Sequence, residues 1–343
     1  MTAPTLQDIA THLGISKMTV SRALRGERHV SEDLRQRILE TAATLGYRPD
    51  PEISKLMTHM RRQRRSQAPR TLAFIWAERG PEELERSSWS QQLVIGARQR
   101  ADHLGYKLDE FHLSARGMTA RRLSGILEAR GITGFILSPL VTRSRGHVSM
   151  QWDRFSSVVI GLGYARPPMH RVHHHHYLGM MTALRHLKKL GYRRIGFYGG
   201  SVINERMFSA WSASFLAHHP LPLKQASALL CLRKEPTLED FRNWYRQTQP
   251  EVIIEGAHKV GEWLAAEGID VPRQTGLVTL GWRADRPEIT GLDQQAEVLG
   301  AAAVDLLVAQ EQQNERGIPQ HPKIVMTEGR WNPGTTVRKL RAD

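Results

Sequence analysis

Apolar residues recur at helical spacing from the start of the chain. Leu6, Ile9, Ala10 and Leu13 give one face of a short helix. Gly14 follows, where a helix end wants a residue that turns left-handed without a Cβ penalty. Ser16 is placed to cap a second short helix. Its Val20, Ala23 and Leu24 turn inward, while Lys17, Met18, Thr19, Ser21 and Arg22 stay on the outer face. A polar connection, RGERHV, leads to a third helix with Ser31 as its N-cap and Glu32 and Asp33 in its first turn. The stripe Leu34, Ile38, Ala42 and Leu45 is expected to close a small three-helix core against Ile9 and Val20, with Gly46 as the stop and Tyr47 folded back.

Residues 50–60 carry one more helical stripe, Ile53, Leu56, Met57 and Met60, behind an Asp50-Pro51 start. About ten residues is short of the ~12–15 that an isolated helix needs in water, so this helix requires a partner. From Arg70 the pattern changes. Short apolar runs at 71–77, 106–113, 134–139, 157–161, 194–199, 251–256 and 276–281 read as strands. Helical patterns at 91–104, 120–130, 180–190 and 260–267 lie between them. Strands alternating with helices predict an α/β region of doubly wound parallel sheets. Leu104-Gly105-Tyr106 and Leu190-Gly191-Tyr192 each join a helix to a strand, an echo expected of two similar lobes.

A chain of 343 residues has room for two or three domains, and 40% hydrophobic with 24% charged residues suits a globular fold. The longest apolar run near the C-terminus, AAAVDLLVA, is interrupted by Asp305, and no stretch approaches the ~18 apolar residues of a membrane span. With no export pattern at the N-terminus and a single cysteine, Cys231, a cytoplasmic protein with no membrane partner is expected. The formal charge of +14 points to an anionic partner. Residues 1–65 hold 12 Lys/Arg against 7 Asp/Glu, so most of the excess lies further along.

A short second helix showing hydroxyls, an Arg and a Lys outward reads as the recognition helix of a helix-turn-helix module. The run T-L-x-D-I-A-x-x-L-G-I-S-x-x-T-V-S-R-A-L closely resembles the start of the lactose-repressor (LacI/GalR) family of bacterial transcription regulators. LGYRRIGF and PEITGLDQQAEVLGAAAVDLL extend the resemblance into the core.

The family likeness implies a helix-turn-helix headpiece at 1–49, a hinge helix and basic linker at 50–69, and a two-lobed, periplasmic-binding-protein-like core at 70–337. Lobe 1 is expected at about 70–162 plus 292–321, and lobe 2 at about 163–291 plus 322–337. Lys17 and Met18 match the family's variable base-reading positions, and Arg22 can fork onto a guanine. Thr5, Ser16, Thr19, Ser21 and Ser31 are expected either to anchor phosphates or to serve as caps. Leu56 matches the hinge leucine that wedges into the minor groove, beside Ile53 where the family has Ala. Asp50 stands where the family has Asn. RRQRR at 61–65 reads either as a solvated linker or as phosphate contacts.

In the cleft, Arg206 matches the family's effector-gripping arginine. Trp89, Tyr164 and Trp282 follow expected strand ends, where they stack on a ligand ring or pack between lobes. The family's acidic residues are missing from GWRAD, which carries Arg283 and Ala284, and from the stretch near His175, so an acidic effector replaces a sugar or none binds. His173–His176 invites a zinc reading, but adjacent residues of an extended segment face opposite ways and at most two converge. No metal and no cofactor are expected; protonation of these histidines near pH 6.5 is a separate possibility.

The expected protein is therefore a homodimeric, sequence-specific regulator, most often a repressor in this family. It would act in the bacterial cytoplasm on nucleoid DNA, binding a pseudo-palindromic double-stranded operator and a small-molecule effector. The alternatives are a two-lobed solute-binding protein or an enzyme with an accessory DNA-binding module. Tyr198-Gly199-Gly200-Ser201 offers a phosphate cradle, but no G-x-G-x-x-G or G-x-S-x-G run accompanies it.

Overall fold

The computed structural model describes residues 4–24, 30–47, 69–78, 80, 87–140, 146–256 and 259–340. The hinge residues Ile53 and Leu56 and the basic run at 61–65 lie outside them.

The first three helices are α1 (Leu6–Leu13), α2 (Lys17–Leu24) and α3 (Glu32–Thr44). Ile9, Ala10, Val20, Ala23, Ile38 and Ala42 form their common core, with Leu34, Leu45 and Tyr47 packed at its margin. The expected stripe thus closes on the expected partners. Gly14 at φ 66° lets its N–H reach back to the Ala10 and Thr11 carbonyls, which ends α1 and turns the chain into α2.

The α/β unit continues with β1 (Arg70–Trp76), α4 (Ser88–His103), β2 (Tyr106–His112), α5 (Ala120–Ala129), β3 (Gly134–Leu137), β4 (Gly146–His147), β5 (Ser156–Ile160), β6 (Tyr164–Arg166) and β7 (His170–His174). Then come α6 (His176–Lys189), β8 (Ile195–Gly200), α7 (Ser201–Arg206), α8 (Ala210–His218), α9 (Leu223–Ala228), β9 (Leu230–Arg233) and α10 (Leu238–Thr248). The chain ends with β10 (Val252–Glu255), α11 (Val260–Ala266), β11 (Gly276–Thr279), β12 (Thr290–Asp293), α12 (Ala296–Gln313), β13 (Ile324–Thr327) and β14 (Arg330–Asn332).

Two six-stranded sheets result. The first runs β13-β7-β5-β3-β1-β2 and is parallel throughout. The second runs β14-β12-β11-β10-β8-β9, parallel except for β14 on β12. In each lobe the second strand flanks the first, and later strands add on the other side. The echo seen in the sequence is therefore a repeated strand order. Period-2 alternation fills both faces of the second sheet. Phe197 points to a cluster with Leu184, Trp211 and Phe215, and its neighbour Tyr198 to one with Phe241, Trp244 and Ile253.

The expected lobe boundaries need correction. The sequence pattern puts residues 163–175 in lobe 2, yet β7 pairs with β5 and β13 in the first sheet. Strand β13, also assigned to lobe 2, sits at that sheet's edge. The reason is local: HRVHH buries imidazoles where a strand ordinarily shows aliphatic residues, so no hydrophobic run marks it. The chain crosses between sheets from β7 to α6, from β12 to α12 and from β13 to β14.

Helices α4 and α12 meet backbone to backbone in the first lobe. A Cβ on Gly96 would overlap the Glu297 main chain, and one on Gly300 the Leu93 carbonyl. Gly300→Ala is expected to lower unfolding stability by about 1–3 kcal/mol, the usual cost of overpacking, measured by urea denaturation. An unchanged midpoint would show that the pair separates without cost.

Candidate functional site

The headpiece presents α2 as an amphipathic cylinder. Val20 and Ala23 are buried, whereas Lys17 and Arg22 are exposed and Met18 is 61% exposed. The base-reading candidates therefore share the outer face of the helix.

The expected hydroxyl anchors are already hydrogen-bonded within the headpiece. Asp8 accepts from the Thr5 N–H at 2.7 Å and from the Thr5 hydroxyl at 2.8 Å, and these two bonds hold its carboxyl below the usual range. Ser16 Oγ accepts from the Thr19 N–H at 3.1 Å and lies 2.8 Å from Thr19 Oγ1. Ser31 Oγ accepts from the Leu34 N–H at 3.4 Å. A hydroxyl that accepts a backbone N–H still has its own proton to donate, so Ser31 can cap its helix and bind a phosphate oxygen together. Thr5 differs, because its proton is given to Asp8. Ser21 is half-buried beside Arg22.

All three crossings between the lobes leave the carboxyl ends of strands: β7, β12 and β13. The crevice that open parallel sheets use for ligands accordingly opens at those ends. Trp89 stands in the first turn of α4, after β1. Arg206 closes α7, directly after β8, and Trp282 follows β11. The indole Nε1 of Trp282 is buried with no acceptor among the described residues.

Tyr164 departs from expectation. It is 3% exposed, its hydroxyl donates to the Ser138 carbonyl at 2.6 Å, and its ring belongs to the core of the first lobe. The hydrogen bond orients it inward, away from a stacking role. Arg283 is also committed, through a paired contact to Asp285 at 2.9 and 2.6 Å.

One residue escaped the sequence reading. Glu255 ends β10, is 3% exposed, and accepts from the Val260 N–H at 3.1 Å. Burial pushes its carboxyl up to about 7. The signal was an acid closing the otherwise apolar run VIIE.

The histidines gather at the first crossing. His173 and His176 stack with centroids 6.1 Å apart, His174 meets His176 edge-on at 5.1 Å, and His176 meets Trp211 at 5.6 Å. His175 instead caps α6, its Nδ1 accepting from the Leu178 N–H at 3.3 Å. A Cβ on Gly329, at the third crossing, would press on His174. Among the described residues no group of three or more His, Cys, Asp or Glu is arranged to hold a metal.

Burial holds His173, His174 and His176 below the ordinary histidine value, His174 at about 4, so His174 stays neutral near pH 6.5 in the folded state. A histidine depressed on folding contributes stability above its unfolded value that is lost as pH falls toward its folded value. Going from 6.5 to about 4 at His174 corresponds to about 3 kcal/mol. The melting temperature is therefore expected to fall between pH 6.5 and 4, and His174→Leu to flatten that acid limb. An identical slope in the variant would place the acid sensitivity elsewhere.

Helix-turn-helix unit and two-lobed core together define the class, a headpiece joined to a periplasmic-binding-protein-like core. Residues 5–50 match the family model of bacterial regulatory proteins of the lacI family, and residues 184–337 match the periplasmic binding protein-like domain. The chain thus joins a lacI-family helix-turn-helix domain to a periplasmic-binding-protein-like domain.

It is 27% identical over 207 residues to the HTH-type transcriptional regulator GalR of Lacticaseibacillus casei, covering 57% of this chain and 54% of that protein. It is 30% identical over 130 residues to the sucrose operon repressor of Escherichia coli, covering 36% of each. The aligned stretch thus spans about half of GalR and about a third of the sucrose repressor.

Two solved structures share the fold. The transcriptional regulator CelR–cellobiose complex aligns at TM-score 0.56 with 20% identity, over 97% of this chain and 99% of that one. The lac repressor dimer bound to operator and the anti-inducer ONPF aligns at TM-score 0.56 with 17% identity, over 98% and 99%.

Proposed function

We propose that this protein is a sequence-specific DNA-binding transcription regulator, a repressor. In this reading it binds a pseudo-palindromic operator as a homodimer and changes its operator affinity when a small molecule enters the crevice. The observation that carries the reading is α2, which buries Val20 and Ala23 and leaves Lys17, Met18 and Arg22 outward on the face a recognition helix presents. Arg22 forks onto a guanine, Lys17 and Met18 read the adjacent base edges, and Ser16, Thr19, Ser21 and Ser31 fix register on the phosphates. Leu56 and Ile53 supply the minor-groove wedge, an assignment resting on the resemblance alone.

The related proteins named above are transcriptional regulators or repressors, which favours this reading over an enzyme. Arg206 holds an anionic group of the effector, with Trp89 and Trp282 beside it. Binding at such a site and at the operator must be reciprocal: each ligand changes the other's affinity by the same factor. The cellular setting we propose is the bacterial cytoplasm, on the nucleoid. No helix among the described residues is long and apolar enough to cross a membrane.

Arg22→Ala is expected to remove about 1–3 kcal/mol of discrimination per half-site. Weak, salt-sensitive binding to any duplex should persist. Footprinting on a genomic fragment against random competitor DNA reads both. Undiminished preference for the bound site in the variant would reject the assignment of α2 as the reading helix.

A further inference from the structure

The second lobe has an open hollow of about 380 Å³, lined from α6 and from the end of α8. Met181, Leu184, Arg185, Lys188 and Lys189 line it from α6, at the spacing that puts them on one side of a helix, and His218 lines it from the last turn of α8. That volume falls within the range of small-molecule sites, roughly 300–1,000 Å³.

Charge is uncompensated here. Several arginines elsewhere in the α/β unit meet carboxylates: Arg98 with Glu110, Arg100 with Asp305, Arg242 with Glu267 and Arg330 with Asp293. Arg185, Lys188 and Lys189 make no ion pair with any described residue, and no acid lines the hollow. Like charges three and four residues apart repel one another on a helix. The same field reaches the neighbours: after burial, Lys189 and Arg185 help hold His186 low, and Lys188 contributes at His219.

The negative end of the α6 dipole accounts for cations in its last turn, Lys188 and Lys189. It does not account for Arg185 a turn earlier, nor for the half-buried Met181 beside the charges. His218 is held in place by Tyr177, whose hydroxyl lies 3.0 Å from Nε2.

We propose that this hollow is a second ligand site, separate from the crevice, for a small organic anion bearing two or more negative charges, either a phosphate ester or a polycarboxylate. Arg185, Lys188 and Lys189 surround the anionic groups, and Met181 supports the ligand's carbon skeleton. Helix α6 begins at the first crossing between lobes, so a ligand at its far end acts on the helix that leaves the hinge. The inference does not depend on the DNA-binding reading.

The test is calorimetric titration of the full chain with pyrophosphate and with citrate, at an ionic strength of about 0.15 M, where loose surface attraction is largely screened. Four proteins are compared: unsubstituted, Arg22→Ala, the double variant Arg185→Gln/Lys188→Gln, and Lys189→Gln as a milder change should the double variant not fold. The unsubstituted protein and Arg22→Ala are expected to bind at least one probe alike, with affinity lowered about tenfold or more in the hollow variants. Binding of pyrophosphate alone would assign phosphate esters, and of citrate alone polycarboxylates. No binding of either probe, equal affinity in the hollow variants, loss in Arg22→Ala, or an equal heat from sodium chloride would each overturn the proposal.

Discussion

An eight-residue helix does not persist by itself in water, and α2 is eight residues long. It exists because Val20 and Ala23 are buried against Ile9 and Ile38, with the Gly14 turn setting its direction. The outward placement of Lys17, Met18 and Arg22 is therefore a consequence of burial on the other side. Loosening the small apolar core would disorganise the reading face without touching one outward residue.

Much of this was legible beforehand, for a physical reason. In the headpiece, period 3.6, capping residues and glycine stops agree at each step, so pattern and structure coincide over the three helices α1, α2 and α3. The apolar strands β1, β3, β8, β10 and β11 were equally plain. The illegible elements lack a long aliphatic run. Strand β7 is built of HRVHH, β13 and β14 are short edge strands, and none of them announces which sheet it joins. Because pairing decides the lobe, missing β7 moved a whole boundary.

The site was legible only in part, since charge and hydrogen bonding are settled by neighbours distant in sequence. Tyr164 was expected at a strand end, but only the fold brings the Ser138 carbonyl to its hydroxyl. Glu255 reads as an ordinary surface acid until β10 buries it beside α11. The histidine run invites proton or metal chemistry, whereas burial at the chain crossing, beside Trp211, makes three of the rings harder to protonate.

The crossings themselves constrain motion. In the first sheet they involve β7 and β13, neighbours at one edge, and in the second β12 and β14, neighbours at one edge. Joined along one jamb like a door, the lobes resist sliding while remaining able to swing. Leverage then grows across each sheet, so the far margins at β2 and β9 sweep the longest arc for a given rotation.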